Sequence, residues 1–268
     1  MRIDMARYDF HSPRLFVAQP LVAGTTVPLD PAQGHYLAGV LRLAAGDRVL
    51  AFNGTDGEWH CTFAPIGKKS ALRVAHQVRP QTRPGDLHYL FAPLKRARLD
   101  YMVQKAVEMG VSRLQPVMSR HTQAERINLE RMRANAIEAA EQCGILSLPE
   151  IMPPLALERA VAALEPERHL VFCDEDAPPG DPVAALARDL AAGLGGKVAP
   201  HRPLAVLIGP EGGFDDSERA FLLRRPHTSR IALGPRILRA DTAAVAALAI
   251  VQAAAGDWRT EQPPPVAE

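Results

Sequence analysis

The chain has 268 residues, of which 47% are apolar and 23% charged, with a formal net charge of +1; this is the composition of a globular protein of one or two domains. No apolar run reaches the roughly 18 residues of a membrane span, and Met1 to Phe10 mixes both charge signs without the apolar centre of a secretion signal, so the expectation is a soluble, cytoplasmic protein without a membrane partner. The near-neutral total hides an asymmetry: residues 1–150 carry 19 Lys and Arg against 14 Asp and Glu, and residues 151–268 carry 12 against 16, a division that suits a polyanion held mainly by the front half.

Residues 48–80 read as strands. Arg48 to Asn53 leads into the turn-rich tip Asn53–Gly57, Trp59, Cys61 and Phe63 then alternate with polar or small neighbours, and Ala71 to Val78 follows as a third strand. Arg79 to Asp86, with two prolines and a glycine, is the expected domain boundary. Beyond it short apolar strands alternate with helices. Strands are expected at His88–Ala92, Arg113–Val117, His169–Cys173, Leu204–Ile208 and Arg230–Leu233. Helices are expected at Leu99–Met109, Leu129–Cys143 and Ala243–Ala255, the last Ala-rich but too short to span a membrane. That alternation predicts an α/β domain with a parallel sheet covered on both faces. Three cysteines (Cys61, Cys143, Cys173) lie far apart and nine histidines are scattered, so neither a disulfide framework nor a metal site is expected.

Two segments follow apolar strands and could carry chemistry. In Ile208-Gly-Pro-Glu-Gly-Gly-Phe214, glycines at 209, 212 and 213 let a ligand approach the backbone, and Asp215 with Glu218 forms a capping-box pattern that opens a helix. Ligands of open α/β sheets bind at the carboxyl ends of strands, yet the segment reads equally well as a strand-to-helix turn. It is not a phosphate loop, which argues against a nucleotide hydrolase. Glu211 would repel phosphate and tolerate a sulfonium or amine. The second segment is Leu233-Gly-Pro-Arg-Ile-Leu-Arg-Ala-Asp-Thr242. Here Asp241 is equally a helix N-cap, and Arg236 and Arg239 are equally solvated loop residues.

Taken in order, seven motifs give the chain a resemblance to the 16S rRNA uridine-N3 methyltransferases, the enzymes named for uridine 1498. They are Arg14–Phe16, His35–Arg42, Lys95 with Gln104–Gly110, Arg120–Gln123, Glu138–Cys143, Ile208–Gly213 and Leu233–Arg239. The resemblance spans about Ser12 to Trp258. It implies a small N-terminal PUA-like β-barrel that binds RNA, over residues 12–82, and a C-terminal SPOUT α/β domain with a trefoil knot, over residues 87–258. It also implies S-adenosylmethionine as methyl donor with S-adenosylhomocysteine as product, no metal, and a homodimer with each active site at the subunit interface. The partner implied is the 16S rRNA of the small ribosomal subunit. The sequence departs from the family pattern at Asp241, where glutamate is usual, at Ala240, where threonine is common, and at Ile145, where arginine is frequent; Met1 to His11 precedes the usual start.

Carried over residue by residue, the resemblance places the cofactor against Leu207, Gly209, Glu211, Gly212, Gly213, Leu233, Gly234, Ile237, Leu238 and Thr242. Arg239 is expected to stabilise negative charge on the target base, and Asp241 is a candidate proton acceptor. Arg14, Arg42, Lys95, Arg98 and Arg120 are expected to contact RNA phosphates, although Lys95 and Arg98 could instead pair with carboxylates of their own helix. Two alternatives differ in class. One is a related knotted enzyme acting on a ribose 2′-hydroxyl or a guanine, and the other is a knotted RNA-binding protein without turnover.

Overall fold

The computed structural model describes residues 9, 11–66, 69–82, 85–123, 126–191 and 202–259. The chain divides into two compact units, Met1–Arg83 with Ala140–Leu148, and Pro84–Ala139 with Pro149–Glu268. The division falls within the Arg79–Asp86 segment, and the first unit also takes in Ala140–Leu148. Hydrogen bonds show why: Glu141 accepts the Phe16 N–H at 2.8 Å, Arg79 donates to the Gly144 carbonyl at 2.8 Å, and Gln81 to that of Leu146 at 3.3 Å.

The first unit is a five-stranded sheet of β1 (Arg14–Phe16), β2 (Thr26–Pro28), β3 (Arg48–Phe52), β4 (Glu58–Ile66) and β5 (Lys69–Arg79), in the order β1-β3-β4-β5-β2. β1 runs parallel to β3, and the other pairs are antiparallel. Asn53 folds the β3–β4 turn by accepting the N–H groups of Thr55 and Asp56. Alternation along β4 buries Cys61 and Phe63, with Val49, Ala51, Leu72 and Val74 from the neighbouring strands. Trp59 is only partly buried, because the β4–β5 register shifts on either side of it. Between β2 and β3, helix α1 (Pro31–His35) starts on a capping box of Asp30 and Gln33. It continues into a π-helical turn, Tyr36–Val40, closed by the Leu41 N–H on the Tyr36 carbonyl at 2.9 Å.

The second unit is a parallel sheet. Its strands are β6 (Leu87–Phe91), β7 (Arg113–Met118), β8 (Glu150–Ile151), β9 (Leu155–Ala156), β10 (His169–Cys173), β11 (Leu204–Ile208) and β12 (Thr228–Ile231). The order is β12-β10-β11-β6-β7-β8, with β9 beside the end of β7. Every residue of β6, β10 and β11 is buried, which is why these strands read as largely apolar runs, broken only by His88 and His169, rather than alternating ones. Helices α2 (Arg96–Glu108), α3 (Leu129–Cys143, of which the residues up to Ala139 belong to this unit), α4 (Leu157–Ala162), α5 (Pro182–Ala191), α6 (Asp216–Arg224) and α7 (Ala240–Ala255) complete it. α7 packs on α2, α5 and β11.

Among the boundaries that differ from the sequence reading are those of α2, β12 and α7. α2 begins at Arg96, a turn before Leu99, where its buried stripe starts. β12 begins at Thr228 and ends at Ile231, the residues that pair with Leu170–Cys173 of β10, and its buried Ser229 is satisfied by His169 at 2.8 Å and Asp189 at 2.7 Å. α7 begins at Ala240, so Arg239 and not Asp241 holds the N-cap position, and the Asp241 carboxylate accepts the Thr242 N–H instead. Among the described residues, no helix is long and apolar enough to cross a membrane.

Candidate functional site

β10, β11 and β12 are parallel and adjacent in register, with Cys173 beside both Ile208 and Ile231. Their carboxyl ends therefore open on one edge, and the two glycine-bearing segments leave that edge on either side of β10. Strand spacing puts their starting points about 10 Å apart. This is the crevice position at which open α/β sheets bind ligands.

The first segment is a tight bend. The Gly213 N–H returns to the Pro210 carbonyl at 2.9 Å, and Gly213 holds φ 69°, a left-handed conformation that disfavours any side chain. Gly209 sits under the ring of Phe214, where a Cβ would lie 2.8 Å from Cζ. At Gly212 a Cβ would lie 3.1 Å from that of His121. Phe214 in turn packs edge-on against Phe172 at 5.0 Å. Leu207 is buried and pairs with Leu90 and Phe172 at the base of the bend.

The loop after β7 braces this bend. His121 Nδ1 donates to the Gly213 carbonyl at 3.1 Å, and Arg120 forms an ion pair with Asp215 at 2.8 Å. Arg98, in the first turn of α2, donates to the exposed Glu211. The capping box anticipated at Asp215 and Glu218 is present: Asp215 accepts the Glu218 N–H at 2.8 Å, and Glu218 accepts that of Asp215 at 3.0 Å. These ties make the bend a prepared surface.

The second segment is open. Leu233 and Leu238 are half-buried, and Gly234 turns at φ 97° with nothing within 4 Å of where its Cβ would stand. Ile237 is 95% exposed. Arg239 and Thr242 are exposed and Asp241 half-buried at the start of α7. Backbone and apolar surface thus face solvent together, beside a guanidinium.

Between the two segments lies a group the sequence reading missed. Asp174, fully buried at the end of β10, holds Arg219 at 3.2 Å and Arg230 at 2.7 Å. Arg219 also reaches Glu175 at 3.0 Å and Asp176 at 2.8 Å, and the Glu175 carboxylate crowds the Cα of Gly213. In sequence Asp174–Asp176 is only an acidic loop; its arginine partners lie more than 40 residues away.

The five candidate RNA contacts separate. Arg14 donates to Glu58 at 2.9 Å and to the Asp9 carbonyl at 3.0 Å, and its side chain is 7% exposed. The first sheet thus holds this guanidinium in an ion pair with Glu58. Arg98 holds the carboxylate of Glu211 rather than one of its own helix, and Arg120 holds that of Asp215. Arg42 and Lys95 are exposed and have no ion pair among the described residues.

Comparison with known proteins agrees with this geometry. The RNA methyltransferase domain family matches residues 81–252, and the RNA methyltransferase PUA domain matches residues 29–74. The chain is 29% identical to the ribosomal RNA small subunit methyltransferase E of Rickettsia conorii over 89% of this chain and 94% of that one. A methyltransferase of Legionella pneumophila solved with the cofactor S-adenosylmethionine superposes with TM-score 0.76 at 27% identity, covering 92% of this chain and 99% of that one. The ribosomal RNA small subunit methyltransferase E of Neisseria gonorrhoeae, bound to S-adenosylmethionine, gives TM-score 0.74 at 25% identity over 92% and 100%. The fold is that of SPOUT methyltransferases with a PUA domain, and the chain belongs to the RNA methyltransferase domain family.

Proposed function

We propose that this protein is an S-adenosylmethionine-dependent methyltransferase that modifies N3 of a specific uridine, position 1498, in the 16S rRNA of the small ribosomal subunit. The observation that carries this reading is the shared carboxyl edge of β11 and β12, from which a braced glycine bend and an open glycine segment both emerge. An adenosyl ligand fits these residues: Gly209, Gly212, Gly213 and Gly234 keep side chains out of the way, and Leu233, Ile237 and Leu238 offer apolar surface beside main-chain polar groups. Bound there, S-adenosylmethionine would supply an electrophilic methyl group on a cationic sulfur; the Glu211 carboxylate on this bend is already paired with Arg98. Thr242, exposed in the first turn of α7, completes the edge of this surface.

The chain's own residues then do three things. The backbone of the two segments orients the donor. Arg239, exposed at the N-cap of α7, stabilises negative charge on the carbonyls that flank N3 of the uridine. Asp241, in the first turn of the same helix, is the candidate acceptor of the N3 proton. N3 lies on the pairing edge, so the target must be unpaired, which costs a few kcal/mol in a duplex. This reading includes a trefoil knot in the C-terminal part of the 87–258 domain, a homodimer and cytoplasmic residence; the 95% exposed Ile237 is the surface that a second subunit or a ligand would cover. Mass mapping of 16S rRNA nucleosides from a strain lacking this protein tests it. Loss of 3-methyluridine supports the assignment; its retention, or loss of a 2′-O-methyl or guanine mark instead, defeats it.

A further inference from the structure

The first unit contains a groove of about 390 Å³, within the ~300–1,000 Å³ range of small-ligand sites. His11, Arg14, Tyr36, Leu41, Leu43 and Gln142 are among its walls. Two quoted motifs that the methyl-transfer site leaves unused, His35–Arg42 and Glu138–Cys143, meet here. The local backbone is shaped for it. Tyr36–Val40 is a π-helical turn, a form found mostly at functional positions. Gly39 lets the His35 imidazole lie against it, where a Cβ would come within 2.8 Å. Arg42 then leaves the turn at φ 57°, an uncommon conformation for a residue with a side chain.

We propose that this groove is a subsite for one unpaired nucleobase of the substrate RNA, distinct from the base that is methylated. It rests on the RNA methyltransferase reading above. The exposed Tyr36 ring, with Leu41 and Leu43, provides the flat apolar contact that a base face takes. The exposed Gln142 amide has no hydrogen bond among the described residues, and it offers a donor and an acceptor together, as a pairing edge requires. Arg42, exposed and without an ion pair among the described residues, supplies a cation for the attached phosphate. The PUA match over residues 29–74 includes Tyr36, Leu41, Arg42 and Leu43. A target uridine presented for N3 chemistry is already unpaired, and its neighbours are then available to splay and stack.

The test uses the full chain and end-labelled single-stranded RNA, oligouridylate and oligoadenylate, with an abasic ribose-phosphate strand of equal length, read by fluorescence anisotropy. Tyr36→Ala and Gln142→Ala are expected to weaken binding of the base-bearing strands, Tyr36→Ala about tenfold, the scale of one lost stacked base. Tyr36→Phe should bind as wild type, and the abasic strand should bind wild type and Tyr36→Ala equally weakly. Wild-type affinity in both alanine variants, or an equal loss on the abasic strand, overturns the proposal. So does a change of oligomeric mass in Tyr36→Ala with RNA affinity intact, which would assign the groove to a protein surface. If Tyr36→Ala melts early, Gln142→Ala, on an exposed side chain, decides alone. Failure of the methyltransferase reading shows separately, as absence of S-adenosylmethionine binding in wild-type calorimetry while the Tyr36 effect on RNA persists.

Discussion

Glu218 accepts the backbone N–H of Arg120 at 2.9 Å while its second oxygen caps the Asp215 N–H at 3.0 Å. One carboxylate, 3% exposed, thereby ties the loop after β7 to the start of α6. Glu218→Ala leaves two N–H donors without these acceptors, and the expected loss is about 1–3 kcal/mol of stability. Urea unfolding with an unchanged m-value checks it, and calorimetry should show weakened S-adenosylmethionine binding, because the bend at 209–213 loses its brace.

The two glycine segments fail differently when a methyl group is added. Gly209→Ala drives a Cβ into the Phe214 ring, an overpacking that costs about 1–3 kcal/mol and closes the bend. Gly234→Ala meets no atom but must keep φ 97°, so its penalty of about 1–3 kcal/mol is backbone strain. Thermal melts should show both losses. Only Gly209→Ala should be partly relieved by a smaller side chain at Phe214.

Much of this arrangement was legible in the sequence. The apolar runs of β6, β10 and β11 and the box at Asp215 and Glu218 are local patterns, set by side-chain period and by a cap that spans three residues. What could not be read depends on contacts between distant residues. Nothing near Arg14 announces Glu58, 44 residues on, and nothing near Asp174 announces Arg219 and Arg230. The start of α7 is hidden for a related reason: Asp241 has the chemistry of an N-cap, but the chain enters the helix two residues earlier, with the Ala243 N–H on the Arg239 carbonyl at 2.7 Å.

Acid should weaken the second unit through two buried histidines. Burial holds His88 and His169 down to about 4. Because Ser229 donates to Asp189 at 2.7 Å, His169 Nε2 donates to Ser229, and its buried Nδ1 stays an unprotonated, unpartnered acceptor. The unfolded chain takes up these protons near pH 6.5 and the folded one only near 4. Stability is therefore full above about 6.5 and falls between 6.5 and 4, by up to about 1.4 kcal/mol per pH unit for each histidine. His169→Gln should flatten the slope of stability against pH in that window; an unchanged slope contradicts the assignment.

Salt dependence separates the arginines. Arg42→Ala and Lys95→Ala are each expected to reduce the slope of log RNA affinity against log salt by about 0.7, one phosphate on a single strand. Arg14→Ala should leave that slope alone and lower stability, by less than about 3 kcal/mol because Arg79 still holds Glu58 at 2.7 Å. In turnover, Arg239→Ala should lower kcat by roughly 10²–10³ with S-adenosylmethionine affinity intact, and Asp241→Asn should lower kcat in the same manner.

A crystal structure with S-adenosylhomocysteine bound is the most direct measurement. The adenosyl group is expected on the main chain of Gly209–Gly213 and Leu233–Leu238, with Phe214 in place and Ile237 covered. Ligand lodged elsewhere, or held by one of these segments with the other turned away, would contradict a methyl-transfer site at the shared edge of β11 and β12.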